Sequence, residues 1–439
     1  MSGTSFAVAG FVAMLLLIGL RMPVWLAMLL VGSAGYVQLN GLAPFMAYMK
    51  STPYQAFSVY TLSVIPLFIL MGAFAERSGL SRELFRAASA LVGHRRGGLG
   101  MGLIGACTGF GAICGSSVAT TATFGRAVLP ELRKAGYDPG LATGMIAVGG
   151  TLGILIPPSV ILVVYAISTE QNIVTLFKAA LIPGLMASLF YCVVIALVAR
   201  LNPSAAPTVP PLPARERLAA LMGVWPALLV AVIVVGGIYG GVFTPTEGAA
   251  VGCVAMLLIG LMRRTLGFAD IRQSLVQTAE TTAMIFAILL GAEVFNAFLA
   301  LSQLPTAAAQ WITSLGFSPL MVVALLLAFY IVLGAVMDEL AMILLTLPIF
   351  FPIVTALDFG MAPDDVAVWF GILVLIVVGI GLTAPPIGLN VFVISAIARS
   401  VPITATYRGV LPFIAADVVR LVLCVVFPGL SLWLVRFLN

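Results

Sequence analysis

The chain has 439 residues, of which 62% are hydrophobic and 8% are charged, and its mean hydropathy is +1.18. Soluble domains carry about 25% charged residues, so this composition excludes a soluble protein and predicts an all-α polytopic membrane protein. The formal charge is +5, but the basic residues are explained by their positions beside apolar segments, and no nucleic-acid partner is needed.

The first apolar run, Phe6 to Leu20, is preceded by no basic residue and followed by Arg21, which is the reverse of the charge order in a signal peptide. It is therefore predicted to be a membrane span. In chain order the predicted spans and hairpins cover about 5–20, 23–38, 56–75, 99–133, 139–168, 176–199, 219–240, 246–262, 279–300, 318–356, 366–397 and 409–435.

The positive-inside rule predicts the orientation of these spans. With the N-terminus in the periplasm, most basic residues fall on the cytoplasmic side, provided that 99–133 and 318–356 are re-entrant hairpins that enter and leave by one face. The two halves then have opposite orientations and form an inverted repeat. Each half contains a span, a hairpin, a broken span and a closing span.

This order gives a prediction of the domain organisation. The proline-rich segment between the halves is predicted to be a non-helical cytoplasmic linker. The predicted regions are N-terminal scaffold helices at 1–55, a first repeat at 56–201, the linker at 202–217, central scaffold helices at 218–278 and a second repeat at 279–439.

Two apolar segments are interrupted by consecutive prolines, at Pro157-Pro158 and at Pro385-Pro386. Proline removes a backbone donor and clashes with the preceding turn, so each helix must break there. In a bilayer the freed carbonyls need protein, water or an ion as a partner. A pair of such breaks, one in each half, indicates a secondary transporter with a binding site near the midplane.

The hairpin tips are also unusual in composition. The first contains a Gly-Ser-Ser-Val-Ala-Thr-Thr-Ala sequence at 115–122, and the second contains Gly-Ala-Val-Met-Asp-Glu at 334–339. Such hydroxyls can bond helix carbonyls, but the broken helix that follows favours a binding site. Acids at membrane depth indicate an ion or proton path or a paired charge, and Asp338 could alternatively stabilise its hairpin.

These motifs, with Gly-Ile-Leu-Ile-Pro-Pro-Ser at 153–159 and Pro-Pro-Ile-Gly-Leu-Asn-Val-Phe-Val-Ile at 385–394, resemble the large membrane subunit of the tripartite ATP-independent periplasmic (TRAP) transporters, a branch of the ion-transporter superfamily. The resemblance covers essentially the whole chain. One departure is Ala384, where the family commonly has Thr directly before the second Pro-Pro. A backbone-carbonyl ligand would survive this change, whereas a side-chain ligand would not.

The resemblance implies an elevator-type sodium symporter of the bacterial inner membrane, and we expect two coupling sodium ions, one per half. Sodium prefers oxygen ligands, which hydroxyls and the carbonyls of broken helices provide. The expected ligands of the first ion are Ser116, Ser117, Gly153, Ile156 and Pro158, and those of the second are Gly334, Asp338, Gly381, Ala384 and Ile387.

The expected substrate is a small organic anion such as a dicarboxylate, keto acid or sugar acid. We expect Ser116, Thr120, Thr121 and Arg126 to bind its carboxylate, although Arg126 could instead extend to the cytoplasmic face or pair with Glu131. The resemblance also implies two protein partners, a small four-helix membrane subunit and a periplasmic substrate-binding protein.

A stand-alone sodium- or proton-coupled carboxylate symporter of a related superfamily branch is the alternative, and a channel is disfavoured because broken helices build an occluded site. No Walker A motif occurs, and an enzyme is disfavoured because the one histidine, His94, lies in a basic loop and no HExxH or CxxC exists. In the closing span, Asp417 and Arg420 are predicted to form a structural pair, whereas Glu293 has no basic partner nearby.

Overall fold

The computed structural model describes residues 3–438, and within that range the chain is helical with short connections. The helices of the first part are α1 (Gly3–Gly19), α2 (Val24–Asn40), α3 (Leu42–Phe57), α4 (Val64–Arg77, preceded by a 3₁₀ turn at Tyr60–Ser63), α5 (Leu80–Val92), α6 (Gly98–Cys114), α7 (Ser117–Lys134), α8 (Pro139–Leu155), α9 (Val160–Ser168) and α10 (Ile173–Leu201).

The second part begins after a non-helical connection. Its helices are α11 (Ala214–Gly223), α12 (Trp225–Ala231, continued by a π-helical segment at Val232–Gly236), α13 (Gly237–Tyr239), α14 (Pro245–Met262), α15 (Phe268–Ser302), α16 (Leu304–Ser314), α17 (Pro319–Gly334), α18 (Glu339–Thr355), α19 (Pro363–Gly381), α20 (Leu389–Ile397), α21 (Ile403–Val426) and α22 (Gly429–Phe437).

Within residues 3–438, seven helical segments are long and apolar enough to cross a membrane, or eight if the bent pair α8–α9 counts as one span. The two helices of this pair are bent by 44°. The prediction of an all-helical, multi-span membrane protein with a broken helix is therefore confirmed.

The break between α8 and α9 follows from its sequence. Helix α8 ends at Leu155, the Pro157-Pro158 bond is cis, and Ser159 caps α9 by accepting the backbone N–H of Leu162. Helices α19 and α20 are separated in the same way by the cis Pro385-Pro386 bond. Here Gly388 occupies the left-handed region, which favours glycine because it has no Cβ.

Two helix pairs form hairpins next to these breaks, a first hairpin of α6 and α7 and a second of α17 and α18. At the first tip Gly115 takes a positive φ of 63°, and the Ser116 side chain caps α7. At the second tip Asp338 caps α18. A cap residue satisfies a helix N–H that has no partner within its own helix.

Helices α8, α9 and α19 of the two broken pairs lie in the interior of the molecule. In the apolar window of α19, 89% of residues are buried inside the protein, compared with 28% in α10 and 33% in α21. The first break, 156–159, is buried in protein, whereas Pro385, Pro386 and Ile387 of the second break are exposed. The more exposed helices present apolar side chains to lipid.

Several elements differ from the sequence predictions. Helices α3, α5 and α16 were not predicted as spans, because each is too short or too polar to cross a bilayer. The predicted closing span at 409–435 is divided between α21 and α22, since Pro428 cannot continue the helix. Helix α11 also begins at Ala214, inside the predicted linker 202–217, because the last proline of the linker is Pro213 and helix-forming residues follow it.

Candidate functional site

The first hairpin tip packs directly against the first broken helix. A Cβ added to Gly115 would lie 2.9 Å from the carbonyl oxygen of Pro158. A Cβ added to Gly153 would lie 2.8 Å from the carbonyl oxygen of Ser116. Glycine is thus required on both sides, and the structure brings together the break and the tip that carry the predicted first sodium site. Ile156, the remaining predicted backbone ligand of this site, lies within the same break, one residue after the end of α8.

The threonines of this tip point towards α8. The Thr120 hydroxyl donates to the carbonyl of Ser116 at 2.7 Å, and both Thr120 and Thr121 are fully buried. The Thr121 hydroxyl approaches Gly150 and has no hydrogen-bond partner among the described residues. Its oxygen is therefore buried between α7 and α8 with its hydrogen-bonding capacity unused among the described residues.

Sequence reasoning missed Asn390, which connects the second half of the chain to the first hairpin. Its Nδ2 donates to the Ser117 hydroxyl at 2.7 Å and to the carbonyl of Ala147 at 3.0 Å. The side chain is fully buried, and its Oδ1 has no partner within residues 3–438. An asparagine in the apolar segment after Pro-Pro was the available signal, because buried amides need partners.

The second hairpin tip also packs closely against the second broken helix. A Cβ added to Gly381 would lie 2.7 Å from Cα of Gly334, so α17 and α19 approach each other closely there. The backbone N–H groups of Ile387 and Gly388 donate to the carbonyl of Ala335 at 3.2 and 3.3 Å. Gly334, Gly381 and Ile387, three of the predicted second-site residues, are therefore brought together.

Asp338 and Ile387 have protein partners as well. The Asp338 carboxylate accepts the backbone N–H of Ala341 at 3.0 Å. This contact stabilises the hairpin, which is the alternative role that the sequence allows for Asp338. The Tyr407 hydroxyl lies within hydrogen-bond distance of the carbonyls of Ile387 and Pro386. A carboxylate or carbonyl oxygen has more than one acceptor position, so both groups retain capacity for an ion. Ala384, the last predicted ligand, is buried between Gly381 and the prolines.

The chemistry of both breaks suits a hard cation. The predicted ligands are hydroxyl, carboxylate and backbone oxygens, the donor types that hard cations prefer. Within residues 3–438 no group of three or more His, Cys, Asp and Glu side chains is placed to hold a metal ion. The predicted ligands of the first site are all neutral oxygens, whereas those of the second include the Asp338 carboxylate.

Comparison with known proteins decides the family. Residues 11–430 match the family model described as "Tripartite ATP-independent periplasmic transporter, DctM component". The chain is 39% identical over 381 residues to the C4-dicarboxylate TRAP transporter large permease protein DctM of Pseudomonas aeruginosa, covering 87% of each protein. The chain belongs to the DctM family of TRAP transporter large permeases. It is thus a transporter subunit, not an enzyme.

Two further comparisons describe the architecture of this permease. It is 32% identical over 433 residues to the isethionate TRAP transporter permease protein DctMQ of Oleidesulfovibrio alaskensis, covering 97% of this chain and 65% of that protein. The solved structure of the YdaH transporter of Alcanivorax borkumensis has the same fold, with a TM-score of 0.61 and 15% sequence identity. The match covers 89% of this chain and 90% of the YdaH chain.

In the permease, Arg126 is separated from the threonines of its own helix. Its guanidinium lies 2.7 Å from the Glu76 carboxylate of α4, and 63% of its side chain is exposed. Thr120 and Thr121 face α8 instead, so the structure does not bring these three side chains together. The alternative pairing with Glu131 does not occur, because residues five apart on a helix face different directions.

The predicted pair of the closing span is confirmed. Arg420 lies 2.8 Å from Asp417, and both side chains are almost fully buried. The Tyr191 hydroxyl of α10 donates to Asp417 at 2.6 Å, and Arg420 donates to the carbonyl of Pro183 at 3.2 Å. Sequence reasoning found the local pair and missed its partners on α10.

Glu293 is exposed at a separate cavity of about 390 Å³ between α3, α9, α15 and α18. Asn296 lies one turn further along the same wall, and the Tyr48 hydroxyl donates to the backbone carbonyl of Glu293 at 3.3 Å. No salt bridge to Glu293 forms within the described range, which agrees with its lack of a basic neighbour in sequence.

Proposed function

We propose that this permease imports a small organic anion together with sodium ions by an elevator mechanism. The observation that carries the proposal is the matched packing of two hairpin tips on two broken helices, at Gly115 against Pro158 and at Gly381 against Gly334. Each contact gathers backbone and side-chain oxygens in the interior of a membrane protein. Such a pair of sites is the expected location of substrate and coupling ions.

The order of elements supports an inverted repeat. Helices α4, α6–α7, α8–α9 and α10 in the first half correspond to α15, α17–α18, α19–α20 and α21 in the second. In this proposal both hairpins are re-entrant, the N-terminus is periplasmic in the bacterial inner membrane, and the hairpins and broken helices form a mobile body. The remaining helices form the scaffold, and the contact of Asn390 with Ser117 holds the two halves of the mobile body together.

Two sodium ions are proposed, one at each break. The first ion would be held by Ser116 and Ser117 with backbone oxygens of the α8–α9 break, and the second by Asp338 with backbone oxygens of the α19–α20 break. The closely approaching glycines support this assignment, because they bring carbonyl oxygens of two chain segments to one place. The Thr121 hydroxyl, which has no hydrogen-bond partner within residues 3–438, is a further oxygen beside the proposed first site.

The proposed substrate is an anion with a carboxylate. The N-termini of α7 and α9 meet at the first tip, and helix N-termini and the hydroxyls of Ser116, Thr120 and Thr121 favour an anion. Arg126 adds positive charge further along α7, on the C-terminal side of these threonines. The relative named for C4-dicarboxylates supports a carboxylate, whereas the relative named for isethionate, a sulfonate, supports only the wider class of organic anions.

A small membrane subunit and a periplasmic binding protein are the proposed partners. The name DctMQ of that relative supports a small subunit as a partner of this permease. The test is uptake by reconstituted vesicles that contain both membrane subunits and receive the loaded binding protein. Uptake that needs an inward sodium gradient and the binding protein supports the proposal. Uptake without the binding protein would favour the stand-alone symporter, and uptake independent of sodium would refute the coupling.

A further inference from the structure

A second polar cavity lies between α7 and the connection from α4 to α5. Its volume is about 480 Å³, and its charged lining residues are Glu76, Arg77, Arg82, Glu83 and Arg126. It lies on the side of the protein where the α4–α5 and α14–α15 connections meet, since Arg263 of the latter bonds Glu83. We call it the Arg126 cavity, and in the proposed orientation it faces the cytoplasm.

The net charge of this cavity favours an anion. Arg263 already neutralises Glu83 through two hydrogen bonds of 2.6 and 2.7 Å. The cavity therefore presents three guanidinium groups against the single remaining carboxylate of Glu76. A planar guanidinium matches a carboxylate through two parallel N–H donors, so a carboxylate is the expected ligand chemistry.

A buried hydroxyl in the wall points to the same chemistry. Thr123 is only 5% exposed, lines the cavity, and its Oγ1 has no hydrogen-bond partner among the described residues. Thr123 and Arg126 are three residues apart on α7, so they share one face of the helix. A ligand carboxylate on Arg126 could accept the Thr123 hydroxyl, which would satisfy this otherwise unpaired group.

Glu76 occupies the position that such a ligand would take. Its Oε1 lies 2.7 Å from the Arg126 guanidinium. Its neighbour Arg77 donates to Gln273 at 2.7 Å and to Gln277 at 3.2 Å, which fixes the end of α4 against α15. Glu76 is thus a carboxylate held by the scaffold side, while Arg126 belongs to the first hairpin.

We propose that the Arg126 cavity is a second, exit-side binding site for the carboxylate of the transported anion. On the way out the substrate carboxylate exchanges with Glu76 on Arg126 and accepts the Thr123 hydroxyl. When the substrate leaves, the Glu76 pair re-forms and lowers the affinity for rebinding from that side. The inference rests on the proposed transport of a carboxylate and adds Glu76 and Thr123 to it.

The test measures substrate exchange from each side separately. Vesicles of known insertion orientation would contain the full permease with its small subunit, and the probe would be radiolabelled succinate. For succinate presented on the Arg126 side, Glu76→Gln should lower the half-saturating concentration about tenfold, because Arg126 loses its competing carboxylate. Arg126→Gln should raise it about tenfold, and the double variant should match Arg126→Gln alone.

Two controls make these shifts specific. Asp365→Asn breaks the Arg436–Asp365 pair, which has the same 2.7 Å distance and similar exposure but joins α22 to α19; it should change exchange on neither side. Thr123→Val should raise the half-saturating concentration about threefold, and Thr123→Ser should restore it.

The exit site would be overturned if Glu76→Gln changed the half-saturating succinate concentration equally in the wild-type and Arg126→Gln backgrounds. Shifts no larger than those of Asp365→Asn would overturn it as well. Wild-type vesicles that transport no succinate, keto acid or sugar acid would instead refute the proposed substrate class, and the exit site with it.

Discussion

The two hairpin tips both lie against their broken helices, but they differ in backbone and in cap residue: the first turns at Gly115 with a positive φ, whereas the second turns through 335–337 without one. Ser116 caps α7 through a neutral hydroxyl at 3.4 Å from the N–H of Ala119, whereas Asp338 caps α18 through a carboxylate at 3.0 Å from the N–H of Ala341. Tight glycine contacts are common to both. The comparison indicates that backbone geometry builds both sites, while the cap decides whether a fixed negative charge is present.

The closing helices of the two halves also differ, and this difference gives the largest expected effect. Helix α10 contributes the hydroxyl of Tyr191, whereas α21 contributes the buried Asp417–Arg420 pair. Asp417→Asn should lower the free energy of unfolding by about 3–5 kcal/mol, because Arg420 would be left buried without its counter-charge.

The double replacement of Asp417 by Asn and Arg420 by Gln should recover much of that stability and leave sodium coupling intact. The measurements are thermal unfolding in detergent and sodium-driven uptake. A well-folded double variant that has lost sodium coupling would place the pair in the transport mechanism.

The glycine contacts should be equally necessary in the two halves. Gly153→Ala and Gly381→Ala would each put a Cβ within 3 Å of the opposing backbone, and such overpacking costs about 1–3 kcal/mol. Both variants should lose most of their uptake. The matched control is Gly223→Ala, since no heavy atom lies within 4 Å of that position. Full activity of either site variant would show that the close approach is not needed.

At the first site, the Asn390 side chain joins the second half of the chain to the first hairpin through Ser117. At the second site, backbone hydrogen bonds to Ala335 join the hairpin tip to its break. Asn390→Ala would remove the donor to Ser117 and Ala147, and loss of one buried hydrogen-bonded partner typically costs about 1–3 kcal/mol. Thermal stability and the sodium concentration for half-maximal uptake should both shift. The exposed helix-end residue Asn202 provides the control variant Asn202→Ala. Unchanged sodium dependence would limit Asn390 to a packing role.

Replacing Asp338 by asparagine should separate its role as the cap of α18 from its proposed role as a sodium ligand. Asn caps helices about as well as Asp, so Asp338→Asn should change stability by less than about 0.5 kcal/mol while weakening sodium dependence. Asp138→Asn is the matched control, because Asp138 caps α8 in the same way at 2.8 Å. Ser116→Ala, by contrast, should lose about 1 kcal/mol of cap energy. If Asp338→Asn behaves like the Asp138 control in uptake, the charge has no part in ion binding.

The sequence was most informative where the chemistry is local. Consecutive prolines required the breaks after Leu155 and Gly381, and glycine with a capping residue marked both hairpin tips. The i, i+3 spacing of Asp417 and Arg420 also predicted their contact, because residues at this spacing share one face of a helix. Each of these features depends on residues within a turn or two of each other, so the pattern alone was sufficient.

Features that depend on lateral packing could not be predicted in this way. Asn390 meets Ser117 across 273 positions, Tyr191 meets Asp417 across 226, and Glu76 meets Arg126 across 50. Spacing along the chain carries no information about such contacts. Helices α3, α5 and α16 were missed because a search for bilayer-length apolar runs does not detect short helices.

We propose above that each half holds one sodium ion between a hairpin tip and a broken helix. Hydrogen exchange of the backbone amides at 115–120 and 335–341, compared in sodium and in potassium at equal ionic strength, tests it most directly. We expect sodium, but not potassium, to slow exchange at both tips, while the exposed N-terminal turn of α11 is unchanged. Equal exchange in the two salts at either tip would contradict the claim.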